Sequence, residues 1–395
     1  MPPSTEALLR ELLAGIEKEL PQAVELRHEL HSKPELAHAE DQTAAMVSSR
    51  LPVACTTAAG TGRLALIGPA DKPAVAVRAE LDGLPVQERT GAPFSATGQA
   101  MHACGHDVHM AALVALARAA YAMSERLPAP LLAVFQPSEE AYPSGAQELA
   151  QRELSDQALC AVVAAHVHPE LPWGTVALDA GVVNASYDSV RITIEGESTH
   201  GAYPHQGRDP VLALSQTVVA LHALLARRID PLWPSVLTVG QIEAGSAENV
   251  IPDQASARLA LRAYRSQDRL ALREMVEETV KGIAAAHGCT GRIDLVKGEP
   301  PLENDEEIVS SARKLLSDAG LEPGTAWRSC GSDDFAFFGK LAPLAMAFVG
   351  LDGAEGFVRR PLHHPELLVP DEAVGVVARV QAALYLAAAR SPSHG

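Results

Sequence analysis

The chain has 395 residues, 47 % hydrophobic and 21 % charged, with 49 acidic against 32 basic side chains and a formal net charge of −17. A single core rarely grows past about 250–300 residues, so two domains are expected. The acidic balance argues against nucleic acid and against a membrane surface as partners. Five cysteines, at 55, 104, 160, 289 and 330, are scattered and odd in number. They do not form a disulfide framework, and a reducing cytoplasm is the expected compartment.

The first twenty residues contain no basic segment leading into an uninterrupted apolar run, so no secretory signal is expected. Leu8, Leu9, Leu12, Leu13 and Ile16 instead predict an amphipathic helix. Three apolar runs then share a design. VAVRAELD ends at Asp82, LLAVFQPSEE ends at Glu140, and CAVVAAHVHP carries His166 near its end. Each begins as a strand buried on both faces and delivers a polar residue just past the apolar part. Helical patterns lie between them at 107–125 and about 144–152. The stretch MAALVALARAAYAM is interrupted by Arg118 and is too short to span a bilayer.

Strand–helix–strand alternation predicts an α/β domain with an open, mostly parallel sheet. Ligands of such sheets bind beyond the carboxyl ends of the strands, so the three polar endings are expected to converge. Near residue 184 the pattern changes. YDSVRITIEGES, SVLTVGQIEAG, ASARLALRAYR and GRIDLVKG read as strands, with helices at about 209–228 and 267–287. The order β-α-β-β-α-β is that of a ferredoxin-like α+β unit. The predicted division is a catalytic domain at 1–183 and 299–395, interrupted by an inserted domain at 184–298. After the insertion come a helix (304–319), the loop RSCGSDDFAFFG, a buried strand PLAMAFVG and a last helix (371–390).

The densest chemistry lies in MHACGHDVHM, residues 101–110. Cys and His are ligands that divalent transition metals favour. Gly105 lets the backbone turn tightly between Cys104 and His106. Glu139 and Glu140 follow a predicted strand, His166 ends the next, and His363 and His364 lie near the C-terminus. One thiolate, several imidazoles and a carboxylate suit a pair of metals with open positions better than one closed structural ion. Successive side chains of an extended segment point opposite ways, so Glu139 and Glu140 are not expected to bind one metal together. One division gives Glu140 to the metal and leaves Glu139 as general base toward a water. His102 and His109 are expected outside the ligand set. Asp82 is expected to support a ligand from behind.

RAELDGLP (78–85), MHACGHDVH (101–109), FQPSEE (135–140), HVHP (166–169), HGAYPH (200–205), ENVIPD (248–253), GSDDFAFF (331–338) and PLHHP (361–365) occur in the order found in one family. The chain resembles the hippurate hydrolase group of dinuclear metallohydrolases. That group includes N-acyl-amino-acid amidohydrolases, carboxypeptidases and auxin–amino-acid conjugate hydrolases. The likeness runs from about residue 26 to 370. It implies a zinc-peptidase-like catalytic domain with an inserted lid or dimerisation domain, and a homodimer or homotetramer. By motif it implies Cys104, His106, Glu140, His166 and His363 as metal ligands, with the Cys104 thiolate bridging two ions. It implies Glu139 as the general base, and His200 and Asn249 on the substrate carbonyl and developing oxyanion. Arg262 is implied on the substrate carboxylate, where a guanidinium binds in bidentate fashion.

The sequence departs from the family at Glu80, in the place of an Asp, and at His168, in the place of a Trp or Asn. It also departs in AYPSG after the paired glutamates and in GSDDF for GSEDF. None of these removes an implied ligand, and those at 141–143 and 168 bear on the acyl group accepted. The expected activity is hydrolysis of the amide bond of an N-acyl-amino acid or a short peptide with a free carboxylate. Two divalent ions per subunit are expected, drawn from Zn, Mn, Co or Ni. A dipeptidase or aminopeptidase on the same scaffold, and a non-catalytic metal or amino-acid binding protein, are the alternatives. A binding protein would have no need of Glu139.

Overall fold

The computed structural model describes residues 3–324 and 326–390. The chain divides into two compact units. One comprises the residues up to Gly181 with Glu303–Trp327 and the chain from Phe337 onward. The other comprises Val182–Leu302 with Arg328–Ala336.

The first unit is built on an eight-stranded sheet. Its order is Thr56–Ala58, Gly62–Ile67, Leu131–Gln136, Ala74–Glu80, Leu159–Pro172, Leu344–Asp352, Thr175–Ala177, Glu322–Pro323. The four strands Leu131–Gln136, Ala74–Glu80, Leu159–Pro172 and Leu344–Asp352 run parallel, and Gly62–Ile67 and Thr175–Ala177 join antiparallel on either side. Ala74–Glu80 and Leu131–Gln136 are buried at every position, which explains their unbroken apolar character. The register pairs Glu80 with Gln136 and Arg78 with Ala164. The chain therefore leaves two neighbouring strands at one level, and Asp82, Glu139 and His166, which lies inside the longer strand Leu159–Pro172, come to the same edge.

The helix His106–Tyr121 is buried along almost its whole length. A helix apolar on all sides belongs inside a core. Its neighbours include Thr5–Ser32, whose Leu8, Leu9, Leu12 and Ile16 are buried, and Glu372–Ala388. The buried charges of this region are paired. Arg27 Nε lies 2.8 Å from Asp107 Oδ2, and its Nη1 lies 2.8 Å from Asp371 Oδ1.

The second unit has an antiparallel sheet in the order Ser235–Ala244, Gln254–Ala263, Asp188–Glu195, Thr290–Lys297. With the helices Pro210–Arg228 and Ser266–Ala286 it has the ferredoxin-like order of elements. Val190, Ile192 and Ile194 alternate into its core against Leu214, Leu221, Leu272 and Val276. Pro210–Arg228 is long and apolar enough to cross a bilayer, with a mean hydropathy of 1.4, yet it lies against this sheet.

Residues 328–336 correct the predicted division, which gave them to the catalytic domain. They belong with the second unit because backbone hydrogen bonds tie them there. Ala185 N–H donates to the carbonyls of Ser329 and Gly331, and Ser329 N–H donates to Val183.

Candidate metal centre

The turn Cys104–His106 depends on Gly105, which has φ +83° and caps the following helix. A Cβ there would fall 2.5 Å from Val167 Cγ2, so both conformation and space exclude a side chain. His106 Nδ1 donates to the Asp82 carbonyl over 2.8 Å. That bond leaves the Nε2 lone pair to face inward. His106 is 1 % exposed, and its Nε2 has no hydrogen-bond partner among the described residues. His166 has the same arrangement, with Nδ1 donating to the Val167 carbonyl over 2.7 Å and Nε2 lying 3.5 Å from Cys104 Sγ.

Glu139 and Glu140 lie beyond the strand that ends at Gln136. Ser138 has φ +51°, a left-handed conformation that breaks the extended alternation. Glu139 and Glu140 themselves lie in bends outside the strand, and both carboxylates lie within 4.8 Å of each other and of a His106 ring nitrogen, contrary to the expectation for an extended pair. Glu140 N–H donates to Asp82 Oδ2 over 2.9 Å, so Asp82 supports both His106 and Glu140. His363 enters from a distant loop. Its φ is +66° and its N–H donates to the Ala103 carbonyl over 2.8 Å, bringing Nε2 to 3.3 Å from Glu140 Oε1. The neighbouring His364 accepts from Glu366 N–H instead, which separates two residues that spacing could not.

Ligand-type atoms of Cys104, His106 and His166 lie within 4.8 Å of one another, as do those of Cys104, Glu140 and His363. The two groups share Cys104. The electrostatics suit a cation. Burial opposes charge on His106, yet Glu80, Asp82 and Glu140 outweigh it and raise its pKa. Burial likewise opposes charge on Glu140, but His363, His106 and Cys104 lower its pKa. Burial holds His166 neutral, as a ligand must be, and it raises the Asp82 carboxyl. The buried, unpartnered Nε2 of His106 beside this negative cluster is the feature that a bound metal would complete.

His109 is buried and both its nitrogens are engaged. Nδ1 donates to Glu80 Oε2 over 2.8 Å and Nε2 accepts from Val167 N–H over 3.0 Å. It thereby braces the strand carrying His166. Glu80 also pairs with Arg78, and that guanidinium together with the hydrogen bond from His109 keeps its carboxylate ionised despite burial. The sequence did not reveal a third support. His31 reaches Asp107 Oδ2 at 2.9 Å and Glu88 Oε1 at 3.1 Å, one carboxylate per ring nitrogen. The i, i+4 spacing of Arg27 and His31 was its only sequence signal.

In the second unit, His200 and Asn249 lie together. Thr199–His200 pairs with Val250–Ile251, and Gly201 N–H donates to the Asn249 carbonyl over 2.7 Å. His200 Nδ1 accepts from Ala202 N–H over 3.0 Å, which places the proton of the neutral ring on Nε2. Both residues are exposed. Arg262 has contacts of its own. Its guanidinium stacks on Tyr187 at 5.0 Å and donates through Nη1 to the Cys330 carbonyl.

A parallel α/β sheet with a Cys–His–Glu cluster at its carboxyl edge defines a metallohydrolase, and residues 76–386 match the model of peptidase family M20/M25/M40. The chain belongs to that family of metal-dependent hydrolases. It is 34 % identical over 368 residues to the N-acetyl-L-cysteine deacetylase of Bacillus subtilis, covering 92 % of this chain and 86 % of that protein. It is 31 % identical over 374 residues to the N-acetyldiaminopimelate deacetylase of Bacillus licheniformis, covering 91 % and 96 %. The crystal structure of a dinuclear metal binding peptidase of the M20 family from Bacillus subtilis superposes with a TM-score of 0.83 at 27 % identity. That match covers 95 % of this chain and 99 % of the other.

Proposed function

We propose that the protein hydrolyses the amide bond of N-acyl-amino acids, with Cys104, His106, Glu140, His166 and His363 holding two divalent ions. The observation that carries this is the convergence of those five residues in two groups that share Cys104, with the unpartnered His106 Nε2 in one of them and Glu139 near His106 and Glu140. Ions of the Zn, Mn, Co or Ni class fit a donor set of one thiolate, three imidazoles and a carboxylate. Bound divalent ions supply Lewis-acid polarisation of the scissile carbonyl and lower the pKa of water to about 7. Glu139 takes the proton of the attacking water and passes one to the leaving amine. His200, through its Nε2 proton, and Asn249 stabilise the tetrahedral oxyanion. Arg262 engages the substrate carboxylate with its remaining guanidinium donors. The second unit serves as lid and as the surface of a homodimer. Exposed Leu212 and Val219 on Pro210–Arg228 support the latter role.

The names of the two deacetylases support a preference for small acyl groups, acetyl first, ahead of benzoyl as in hippurate. Purified protein, stripped and reconstituted with each ion, is to be assayed against N-acetyl- and N-benzoyl-amino acids and against dipeptides with free amines. Metal-dependent release of free amino acid from the N-acyl series, abolished by chelator, is expected. Turnover confined to the free-amine dipeptides would overturn the substrate assignment. Tight binding of N-acyl-amino acids without product would overturn catalysis.

A further inference from the structure

Residues 33–40 connect the helices Thr5–Ser32 and Asp41–Arg50 and lie against two of the strand ends that form the centre. Gly83 N–H, next to Asp82, donates to the Glu35 carbonyl over 2.8 Å. His38 N–H donates to Ser138 Oγ over 2.9 Å, next to Glu139. Glu40 occupies the N-cap position of Asp41–Arg50 but does not cap that helix with its side chain. Glu35 bonds the Thr43 N–H there instead.

The Glu40 carboxylate is fully buried and its oxygens are used elsewhere. Oε1 accepts from Ser138 N–H over 2.8 Å and lies 3.4 Å from Ser138 Oγ, while Oε2 accepts from Thr61 Oγ1 over 2.6 Å. Ser138 is the residue held at φ +51°. A non-glycine residue keeps such a backbone only when its surroundings over-determine it. Beyond it, Asp82 holds Glu140 N–H. Glu139 is thus suspended between two buried carboxylates, Glu40 behind and Asp82 ahead.

We propose that Glu40 is a positioning residue for Glu139, fixing through the Ser138 N–H the turn from which the base projects. This rests on Glu139 being the general base. Misplacing a reacting group by about 1 Å costs on the order of 10²-fold in rate. Glu40→Ala is therefore expected to lower kcat about 10²-fold, with KM within about threefold and metal content unchanged. Glu40→Gln, which keeps an oxygen for the Ser138 N–H, is expected to recover kcat to within about fivefold of wild type. The decisive experiment is the double-mutant cycle with Glu139→Ala. If Glu40 acts through Glu139, adding Glu40→Ala to Glu139→Ala lowers the residual kcat by less than about threefold.

A further loss of about 10²-fold in that background would overturn the proposal, as would a Glu40→Ala enzyme with kcat within about threefold of wild type or with depleted metal. Should Glu40→Ala fail to fold, Glu40→Asp replaces it in the cycle. It keeps the charge and withdraws the oxygen by one methylene, and a loss of about tenfold is expected. A kcat within about twofold of wild type would overturn the proposal. Near-normal turnover by Glu139→Ala alone would instead overturn the general-base assignment, so the two failures are told apart.

Discussion

The two units bury and pair charges alike but hold their candidate functional residues differently. In the first, Arg27, His31, Arg78, Glu80, Asp82, His106, Asp107, His109 and Glu40 are all buried. Several serve only to hold others, as His109 braces the strand of His166 and Asp82 supports His106 and Glu140. In the second, the buried Asp188 is paired with Arg269 and Arg273, which pins a helix to the sheet. Its candidate substrate residues, His200 and Asn249, are exposed on a short two-stranded ladder. Metal ligands must be held to about 0.5 Å, and only locked rotamers with their own partners achieve that. Groups that meet a changing substrate need reach and release, and a lightly packed segment supplies both.

The contrast predicts a graded series of effects. Largest is loss of the centre itself. His106→Ala should remove metal and abolish turnover, and metal analysis should show the loss while the fold persists by circular dichroism. Glu139→Ala comes next. General-base removal costs about 10²–10⁴-fold, so kcat should fall within that range with metal retained. An equal fall caused by metal loss would make Glu139 a ligand instead. His200→Ala should reduce kcat about 10²–10³-fold, the loss expected of an oxyanion donor. The thermal transition of that variant should be unchanged, because the residue is exposed. A large drop in melting temperature would place His200 among the structural residues and weaken the contrast.

The smallest effect concerns stability alone. Burial works against charge on His31, but Asp107 and Glu88 outweigh it and the opposing Arg27, raising its pKa from 6.5 to about 9. A raised pKa contributes stability that is complete below about pH 6.5 and lost as pH rises through about 9. A shift of this size corresponds to about 3 kcal/mol. Urea unfolding at pH 6 and pH 9.5 should show that loss, and His31→Gln should flatten it. An unchanged pH dependence in the variant would remove His31 from the account.

How much of this the sequence revealed depends on how local the signal was. Cys104, His106, Glu139 and Glu140 were legible because chemically dense stretches carried them, and the rule for parallel sheets predicted their meeting with His166. His363 was not legible from spacing, since His364 adjoins it, and the choice rests on a left-handed backbone and a bond to Ala103. Residues 328–336 were misassigned because backbone hydrogen bonds, which leave no side-chain signature, hold them to the second unit. Glu40 was silent because an acidic residue at the start of a helix reads as a cap. The opposed directions expected of Glu139 and Glu140 failed because the strand ends at Gln136 and the pair lies in bends beyond it.

The most direct test of the central claim is to titrate metal-stripped protein with a divalent ion while following hydrolysis of an N-acetyl-amino acid. Bound ions per chain are to be counted at each point. Activity is expected to rise with occupancy and to level off at about two ions per chain, the capacity of a site shared by two ligand groups. Full activity with no bound metal, or full occupancy with no hydrolysis of any N-acyl-amino acid, would contradict it.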